Sequence, residues 1–528
     1  MRANLAAVQT RLRNTDIFNK LYVLGLLIML IGMLYSRALL SIGQLTLAGA
    51  FVLEGKWGEK WKGLTTNKWV LLFIGLYLIH FIGLVNTTNW HYAYLDLRVK
   101  IPLLLFPIIL STGLSISEQL FHKLNLFFVV LVLSRTLAIS LYYYLNKDHI
   151  IDMRDAFFLI SHIRFSLMIS LALFMLLRMI LTSNNLNVLA SALIIIWFLL
   201  FMIFFELLTG LLITFLIAPI ALFHLTSRNS KSTKGLRWLA WLATVILLLT
   251  TLMAGIKVRE FANLQEFNEN RDLEVTQSGR AYQQAYTWGN GILMKENGNL
   301  VFQNVCFEEL EKMWNQEGRS TLDYSDTAYT STEIILVRFL ASKNLTKDSA
   351  GFAQLNQEEI SAIEHGVTNV LHMNKTGIEV RLMKTIWEMD NYSFGADFSG
   401  HSLAMRFEFW KTGWHAFKRN FWTGVGTGDV EEEMQAQYQI DNSTLAQDWR
   451  YRSHNQFISI GLALGVLGFA YLWATCIIPL LAKKHDYLYL VFMLIALISM
   501  MAEDTLETQI GVGFFAFFNS YFFFRKQP

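Results

Sequence analysis

A cation, an imidazole and an amide stand directly before a long apolar run. Arg452, His454 and Asn455 precede the run that begins at Phe457. An imidazole can take up a proton near neutral pH, and a guanidinium binds phosphate through its planar set of donors. The stretch is therefore a candidate site for proton transfer at His454, with Arg452 and Asn455 as supporting residues. The alternative is that His454 only caps or packs the start of a helix.

Further charged residues stand at the ends of other apolar runs. Of twelve such runs, Arg98 and Lys100 precede the fourth, Arg164 lies at the start of the sixth and Glu503 follows the eleventh. Cations that converge at one membrane surface suit an anionic group held there. The alternatives are contact with lipid headgroups for a lone arginine, and structural pairing with the arginines for Glu503.

The apolar runs dominate the composition. Of 528 residues, 54% are hydrophobic and only 16% are charged, and the mean hydropathy is +0.37. Soluble domains usually carry about 25% charged residues, so the composition predicts an all-α polytopic membrane protein. About twelve runs resemble membrane spans; they lie near residues 21–34, 38–52, 69–85, 101–114, 124–144, 165–181, 188–205, 207–225, 238–254, 457–481, 487–501 and 510–524.

Clusters of lysine and arginine predict the orientation. They precede the first run, follow the second, precede the ninth, and follow the tenth and the twelfth. With twelve spans, all five clusters fall on one side, which the positive-inside rule assigns to the cytoplasm. His454, Arg98, Arg164 and Glu503 are then predicted at the opposite surface.

A long polar segment separates the ninth run from the tenth. Residues 257–453 contain 19 lysines and arginines against 28 aspartates and glutamates, and no proline. The stretch Asn356–Glu359 has the pattern of a capping box, which indicates a folded, mostly helical extracytoplasmic domain. The predicted domains are 1–256 with about nine spans, this domain at 257–453, and 454–528 with about three spans.

A predicted helix begins at Ser402 and carries Arg406 beside a tryptophan-rich apolar stripe. Its periodicity alone favours a solvated charge at Arg406. The glycine-rich stretch Gly424–Gly428 follows, and such a turn before a helix can hold phosphate. It lacks a Walker lysine and the dinucleotide-binding pattern, so a tight turn is the favoured interpretation.

Several of these pieces together resemble the O-antigen ligase family. They are Arg406-x3-Trp410, Gly424–Asp429, Arg452–Phe457, Gly465–Gly468 and, towards the C-terminus, Glu503–Gln509. The stretch Val337–Lys343, with Lys347 and Asp348 after it, resembles the Bacteroidetes branch of the family, whose outer domain is enlarged.

The resemblance implies an inner-membrane glycosyltransferase with a GT-C-like fold. Such an enzyme moves a glycan from undecaprenyl pyrophosphate to lipid A–core oligosaccharide, or another glycan acceptor, at the periplasmic face. The resemblance further implies inversion at the sugar carbon, and no metal or other cofactor. Membrane lipids are expected partners, and nucleic acid is not.

Family residues fall on particular positions of this chain. The catalytic histidine falls on His454 and the family's loop arginine on Arg406, which is expected to act in catalysis and in pyrophosphate binding. A second arginine falls on Arg164, with Arg98 as a competitor and Lys100 as a further pyrophosphate ligand.

Other functions are compatible with the same residues. A polysaccharide polymerase or a protein O-oligosaccharyltransferase would use the same donor with a different acceptor. A transporter or flippase is a more distant alternative. It predicts polar or broken helices at mid-membrane depth, whereas these runs are almost free of charge.

Overall fold

The computed structural model describes residues 2–147, 150, 153–182, 187–228, 234–264, 268, 271–284, 294–317, 332–375, 377–395 and 399–525. Helices dominate, and the only sheet among these residues is one antiparallel pair of two-residue strands. The predicted all-α fold class is therefore confirmed.

The chain forms two compact units. The first contains Met1–Leu247, Phe409–Asn442 and Tyr451–Pro528, and the second contains Leu248–Glu408 and Ser443–Arg450. The second unit covers most of the segment predicted as a separate domain at 257–453. Residues 409–442 and 451–453 pack instead with the apolar helices of the first unit.

The helices are numbered in chain order. Up to the long polar segment they are α1 (Arg2–Tyr35), α2 (Arg37–Glu54), α3 (Trp57–Thr66), α4 (Lys68–Ile82), α5 (Trp90–Lys100), α6 (Pro102–Thr112), α7 (Glu118–Asn146), α8 (His162–Thr182), α9 (Val188–Phe204), α10 (Leu208–Arg228) and α11 (Lys234–Leu264). The later elements are β1 (Lys295–Glu296), β2 (Asn299–Leu300), α12 (Phe307–Gln316), α13 (Thr332–Ser342), α14 (Ser349–Phe352), α15 (Gln357–Glu364), α16 (Gly377–Ser393), α17 (Ser402–Arg419), α18 (Val430–Ile440), α19 (Gln456–Ala482), α20 (Tyr487–Ala502) and α21 (Gln509–Phe523).

Each of the twelve predicted apolar runs falls on one of these helices. Eight helices of the described residues are long and apolar enough to cross a membrane, and α9 and α20 are shorter apolar helices. The runs on α6 and α21 give helices of 11 and 15 residues. At 1.5 Å per residue, an 11-residue helix spans roughly 16 Å, about half of the hydrocarbon thickness. The chain is a multi-pass membrane protein.

Helix α19 breaks at Gly465, where the backbone has φ 67° and ψ −164°. The glycine-rich loop fills the break: Val425 N–H donates to the Leu462 carbonyl, and Gly426 N–H donates to the Ala463 carbonyl, both at 2.9 Å. A Cβ atom at Gly465 would lie 2.4 Å from the Trp422 carbonyl oxygen. The loop therefore donates its N–H groups to protein carbonyls, and the tight-turn interpretation is confirmed.

The same loop continues to the start of α5. Thr427 N–H donates to the Gly83 carbonyl at 3.1 Å. The Asp429 carboxylate accepts from the backbone N–H groups of Thr88 and Asn89, both at 2.7 Å. Because a carboxylate satisfies two otherwise unpaired donors there, the loop links the α4–α5 connection to α18 and α19.

The second unit has its own core, built on α12, α13 and α15–α16. Within it, Arg338 Nε donates to Glu296 Oε1 at 2.7 Å, and Asn369 Nδ2 donates to Glu296 Oε2 at 2.8 Å. The Arg338 guanidinium lies 4.3 Å from the centroid of the Trp387 ring. A buried charge is tolerated only when it is paired in this way, so the core includes Arg338 of the Val337–Lys343 stretch. The capping box at Asn356–Glu359 is confirmed.

Candidate functional site

Helix α19 starts two residues after His454. The Asn455 side-chain oxygen accepts from the N–H groups of Phe457 and Ile458 at 3.0 and 3.2 Å. Its amide nitrogen donates to the Met501 carbonyl at 3.0 Å. Asn455 therefore caps α19 and ties its start to the end of α20, which fits a supporting role.

The His454 backbone is held in an unusual conformation. Its φ is 45°, in the left-handed region that few residues other than glycine adopt. Its N–H donates to Asp504 Oδ2 at 3.0 Å, and Asp504 Oδ1 accepts from Ser459 Oγ at 2.7 Å. Burial raises the pKa of Asp504, and Arg452 partly offsets this effect. Such backbone strain persists only where surrounding contacts maintain it.

The imidazole ring of His454 is packed between two aromatic side chains. Its centroid lies 5.3 Å from that of Phe409, with the rings tilted by 31°, and 6.3 Å from that of Tyr451, edge to face. These contacts fix the ring while 35% of the side chain stays exposed. The ring is therefore both oriented and accessible.

One buried carboxylate faces both the histidine and an arginine. Glu503 Oε2 lies 3.9 Å from His454 Nδ1 and 4.0 Å from an Nη atom of Arg164. His454 Nδ1 makes no hydrogen bond among the described residues. A carboxylate at this distance stabilises a protonated imidazole, and Nε2 is the nitrogen left for a substrate.

Arg164 lies in the first turn of α8, beside a cavity of about 560 Å³. Its Nε atom is buried and makes no hydrogen bond within the described part of the chain. The cavity is lined by Arg37, Asp155, Phe157, Leu159, Ile160, Ser161, His162 and Arg164. Arg164 therefore lines the cavity while its Nε donor is buried, and its role in pyrophosphate binding stays a prediction.

Arg452 and Lys100 converge on a different carboxylate, that of Glu507. The Glu507 Oε2 atom accepts from Lys100 Nζ at 2.7 Å and from Arg452 at 3.1 Å. Lys100 also pairs with Asp96, and Arg452 donates to the Tyr92 hydroxyl at 2.8 Å. Both cations therefore hold the Glu507 turn against α5.

The electrostatics of this cluster follow from its burial. Burial raises the pKa of Glu507, but the charges of Arg452 and Lys100 outweigh it and hold that pKa well below its usual range. For Asp96 burial prevails, and its pKa rises to about 6. Lys100 is only 2% exposed, and its ammonium group pairs with Asp96 and Glu507. Its contact with pyrophosphate stays a prediction.

Arg98 and Arg406 are the two remaining predicted pyrophosphate ligands. Arg98 is exposed on α5 and forms no ion pair among the described residues. Arg406 belongs to the second unit, on the first half of α17. Both assignments stay predictions.

The sequence interpretation overlooked Arg37 and Phe409. Arg37 is the one cation between the first two apolar runs, on the side where the positive-inside rule makes cations rare. That position was a usable signal. Phe409 lies beside the predicted apolar stripe of α17, and no sequence pattern pairs it with His454.

Among the described residues, no three His, Cys, Asp or Glu side chains form a group that could hold a metal ion.

The comparison with protein families bears on the same region. Residues 362–473 match the family model described as O-antigen ligase. The segment includes Arg406, the glycine-rich loop and His454, and the match confirms the predicted resemblance to this family. It supports a ligase or polymerase type of glycan transfer in a membrane protein. No curated protein matches the chain.

Proposed function

We propose that this protein is an O-antigen ligase. It transfers a glycan from undecaprenyl pyrophosphate to lipid A–core oligosaccharide at the periplasmic face of the inner membrane. The transfer inverts the sugar carbon and needs no metal.

The arrangement of His454, Glu503 and Arg164 carries the proposal. A base with one nitrogen facing a carboxylate and the other available is suited to accept a proton from a hydroxyl group. An arginine on the far side of the same carboxylate is suited to hold a phosphate. The match of residues 362–473 to the O-antigen ligase model includes His454 and supports the type of reaction.

The reaction is a direct displacement. The acceptor hydroxyl oxygen forms a bond to the anomeric carbon while His454 Nε2 takes its proton. The bond from that carbon to the pyrophosphate oxygen breaks, and the electron pair leaves with undecaprenyl pyrophosphate. Glu503 stabilises the imidazolium that forms, and Arg164 stabilises the negative charge on the leaving group. One displacement inverts the configuration.

Arg406 is assigned to the same pyrophosphate through the family motif. A pyrophosphate has enough oxygens for two bidentate guanidinium contacts. Arg98 remains the competitor of Arg164 for the second contact.

A deletion strain tests the function. We expect full-length lipid-linked glycan to accumulate while the glycan on lipopolysaccharide disappears, and the intact gene to reverse both effects. Loss of long chains with single repeats still attached would indicate a polymerase. Loss of glycoproteins with unchanged lipopolysaccharide would indicate a protein O-oligosaccharyltransferase.

A further inference from the structure

The cavity beside Arg164 has a second guanidinium that the motifs do not include. Arg37 is the first residue of α2, and its side chain is exposed and lines the cavity together with Arg164. His162 lines the same space, and Asp155 is the one acidic residue among the described residues of the lining. The described lining is therefore predominantly basic.

The backbone adds to this positive character. Helix α8 begins at His162, and both Ser161 and His162 line the cavity, so the N-terminus of α8 lies at its wall. Unpaired N–H groups and the helix dipole favour an anion at such an end. Two arginines that face one space repel each other unless an anion lies between them.

The walls of the cavity are held from outside it. Gln509 Nε2 donates to Ser41 Oγ at 2.7 Å and to the Arg37 carbonyl at 3.4 Å, which ties the start of α2 to α21. Arg135 of α7 donates to the Phe158 carbonyl at 2.7 Å and lies over the Tyr35 ring at 5.3 Å. These contacts hold in place the start of α2, which carries Arg37, and the loop that leads to Arg164 on α8.

We propose that Arg37 and Arg164 together bind the pyrophosphate of the lipid-linked donor in this cavity. Each guanidinium offers a planar fork that matches two oxygens, and two forks need more oxygens than a monophosphate presents well. This inference rests on the proposed function and makes Arg37 a substrate-binding residue.

The volume of the cavity indicates that it can hold more of the donor than the pyrophosphate. Pockets of about 300–1,000 Å³ hold ligands much larger than a phosphate group, and this one measures about 560 Å³. The cavity therefore has room for the pyrophosphate and the sugar attached to it. Asp155 and Ser161 at its wall offer oxygen atoms to sugar hydroxyls.

Equilibrium binding to the purified full chain in lipid nanodiscs tests the assignment. The probes are radiolabelled undecaprenyl pyrophosphate, undecaprenyl phosphate and undecaprenol, without acceptor. We expect Arg37→Gln and Arg164→Gln each to weaken binding of the pyrophosphate about tenfold to a hundredfold, the loss expected for a charge-assisted hydrogen bond. Arg37→Lys should recover part of it, and the exposed Arg259→Gln should bind like the wild type.

The outcomes separate this inference from the function on which it rests. Wild-type binding by Arg37→Gln overturns the role of Arg37 and leaves the transfer reaction standing. An equal loss for monophosphate and pyrophosphate also overturns it, since the cavity then recognises any phosphorylated lipid. A wild-type chain that transfers no glycan and binds no lipid pyrophosphate removes the proposed function as well. Thermal unfolding of each variant, monitored by tryptophan fluorescence, checks that the fold is intact.

Discussion

His454 Nδ1 lies 3.9 Å from Glu503 Oε2, and the residue after Glu503 holds the same histidine by its backbone N–H. Two consecutive acidic residues thus face the ring and the main chain of His454 separately. A general base must keep one nitrogen aimed at the substrate, and the ring contacts of Phe409 and Tyr451 hold the imidazole with Nδ1 towards Glu503.

Replacement of the base is the most direct test of the mechanism. We expect His454→Ala to stay folded in the membrane and to lose about 10²–10⁴ in transfer rate, the usual effect of removing a general base. Transfer is measured with purified protein and a lipid-pyrophosphate donor. His91→Ala, which removes an exposed histidine of α5, is the matched control. A near-normal rate for His454→Ala would exclude the base assignment.

Glu503→Gln tests whether the carboxylate acts through the histidine. The neutral amide no longer stabilises the imidazolium that forms when His454 takes the proton, so the transfer rate should fall, and Glu503→Asp, which keeps the charge, should recover part of the rate. A wild-type rate for Glu503→Gln would show that the carboxylate does not act through the histidine.

These residues show which helices and contacts the sequence could predict and which it could not. Long apolar runs predict their helices because burial in lipid requires them. The capping role that the sequence allowed for His454 belongs instead to Asn455. The contact between Glu503 and Arg164 joins α20 to α8, and no spacing rule predicts it. The sequence could place Lys100 and Glu507 at one surface, but only the fold determines that they pair.

The backbone conformation of the glycine-rich loop could also be predicted only in part. Its residues indicated a tight turn, but they did not indicate that the turn fills a break in α19. That break depends on Gly465, which takes a positive φ beside the Trp422 carbonyl. A glycine within an apolar run has several possible reasons, so the pattern alone left this one open.

Arg406 and Arg164 are expected to bind one pyrophosphate. Lysine keeps the charge but loses the planar fork, so Arg406→Lys and Arg164→Lys should each slow transfer. Two residues that act on one group lose less together than the sum of their single losses. A double-mutant cycle on the transfer rate measures this coupling. Additive losses, or a wild-type rate for Arg164→Lys, would leave Arg98 as the better second ligand.

Transfer is expected to proceed without a divalent metal. In the proposed reaction, arginine supplies the positive charge that stabilises the leaving pyrophosphate. The rate is measured with and without excess EDTA, and equal rates are expected. Activity that EDTA removes and Mg²⁺ or Mn²⁺ restores would instead assign a metal to Glu503 and Asp504.

Glu309 in the second unit is expected to make local stability depend on pH. Its buried carboxylate accepts from Thr276 Oγ1 at 2.6 Å, from Ser278, and from Ser349 N at 3.0 Å. Burial raises the pKa of Glu309, but these hydrogen bonds outweigh it and lower the pKa to about 2. Because the folded-state pKa lies below the unfolded value of 4.5, the ionised group stabilises the fold above pH 4.5. That contribution is lost as the pH falls towards 2.

The thiol of Cys306 reports this opening, because it is 5% exposed and its carbonyl accepts from Glu309 N–H at 3.2 Å. In a Cys476→Ser background, Cys306 is the only cysteine, and 4,4′-dithiodipyridine labels it at acidic pH. We expect labelling to accelerate between pH 4.5 and 2. In Glu309→Gln, Cys306 should be labelled faster at pH 7, because the free energy of local opening falls by roughly 1–3 kcal/mol. The labelling rate of this variant should depend less on acid. Glu308→Gln, whose side chain is 80% exposed, is the control. The same pH response in Glu309→Gln as in the parent would show that another group titrates.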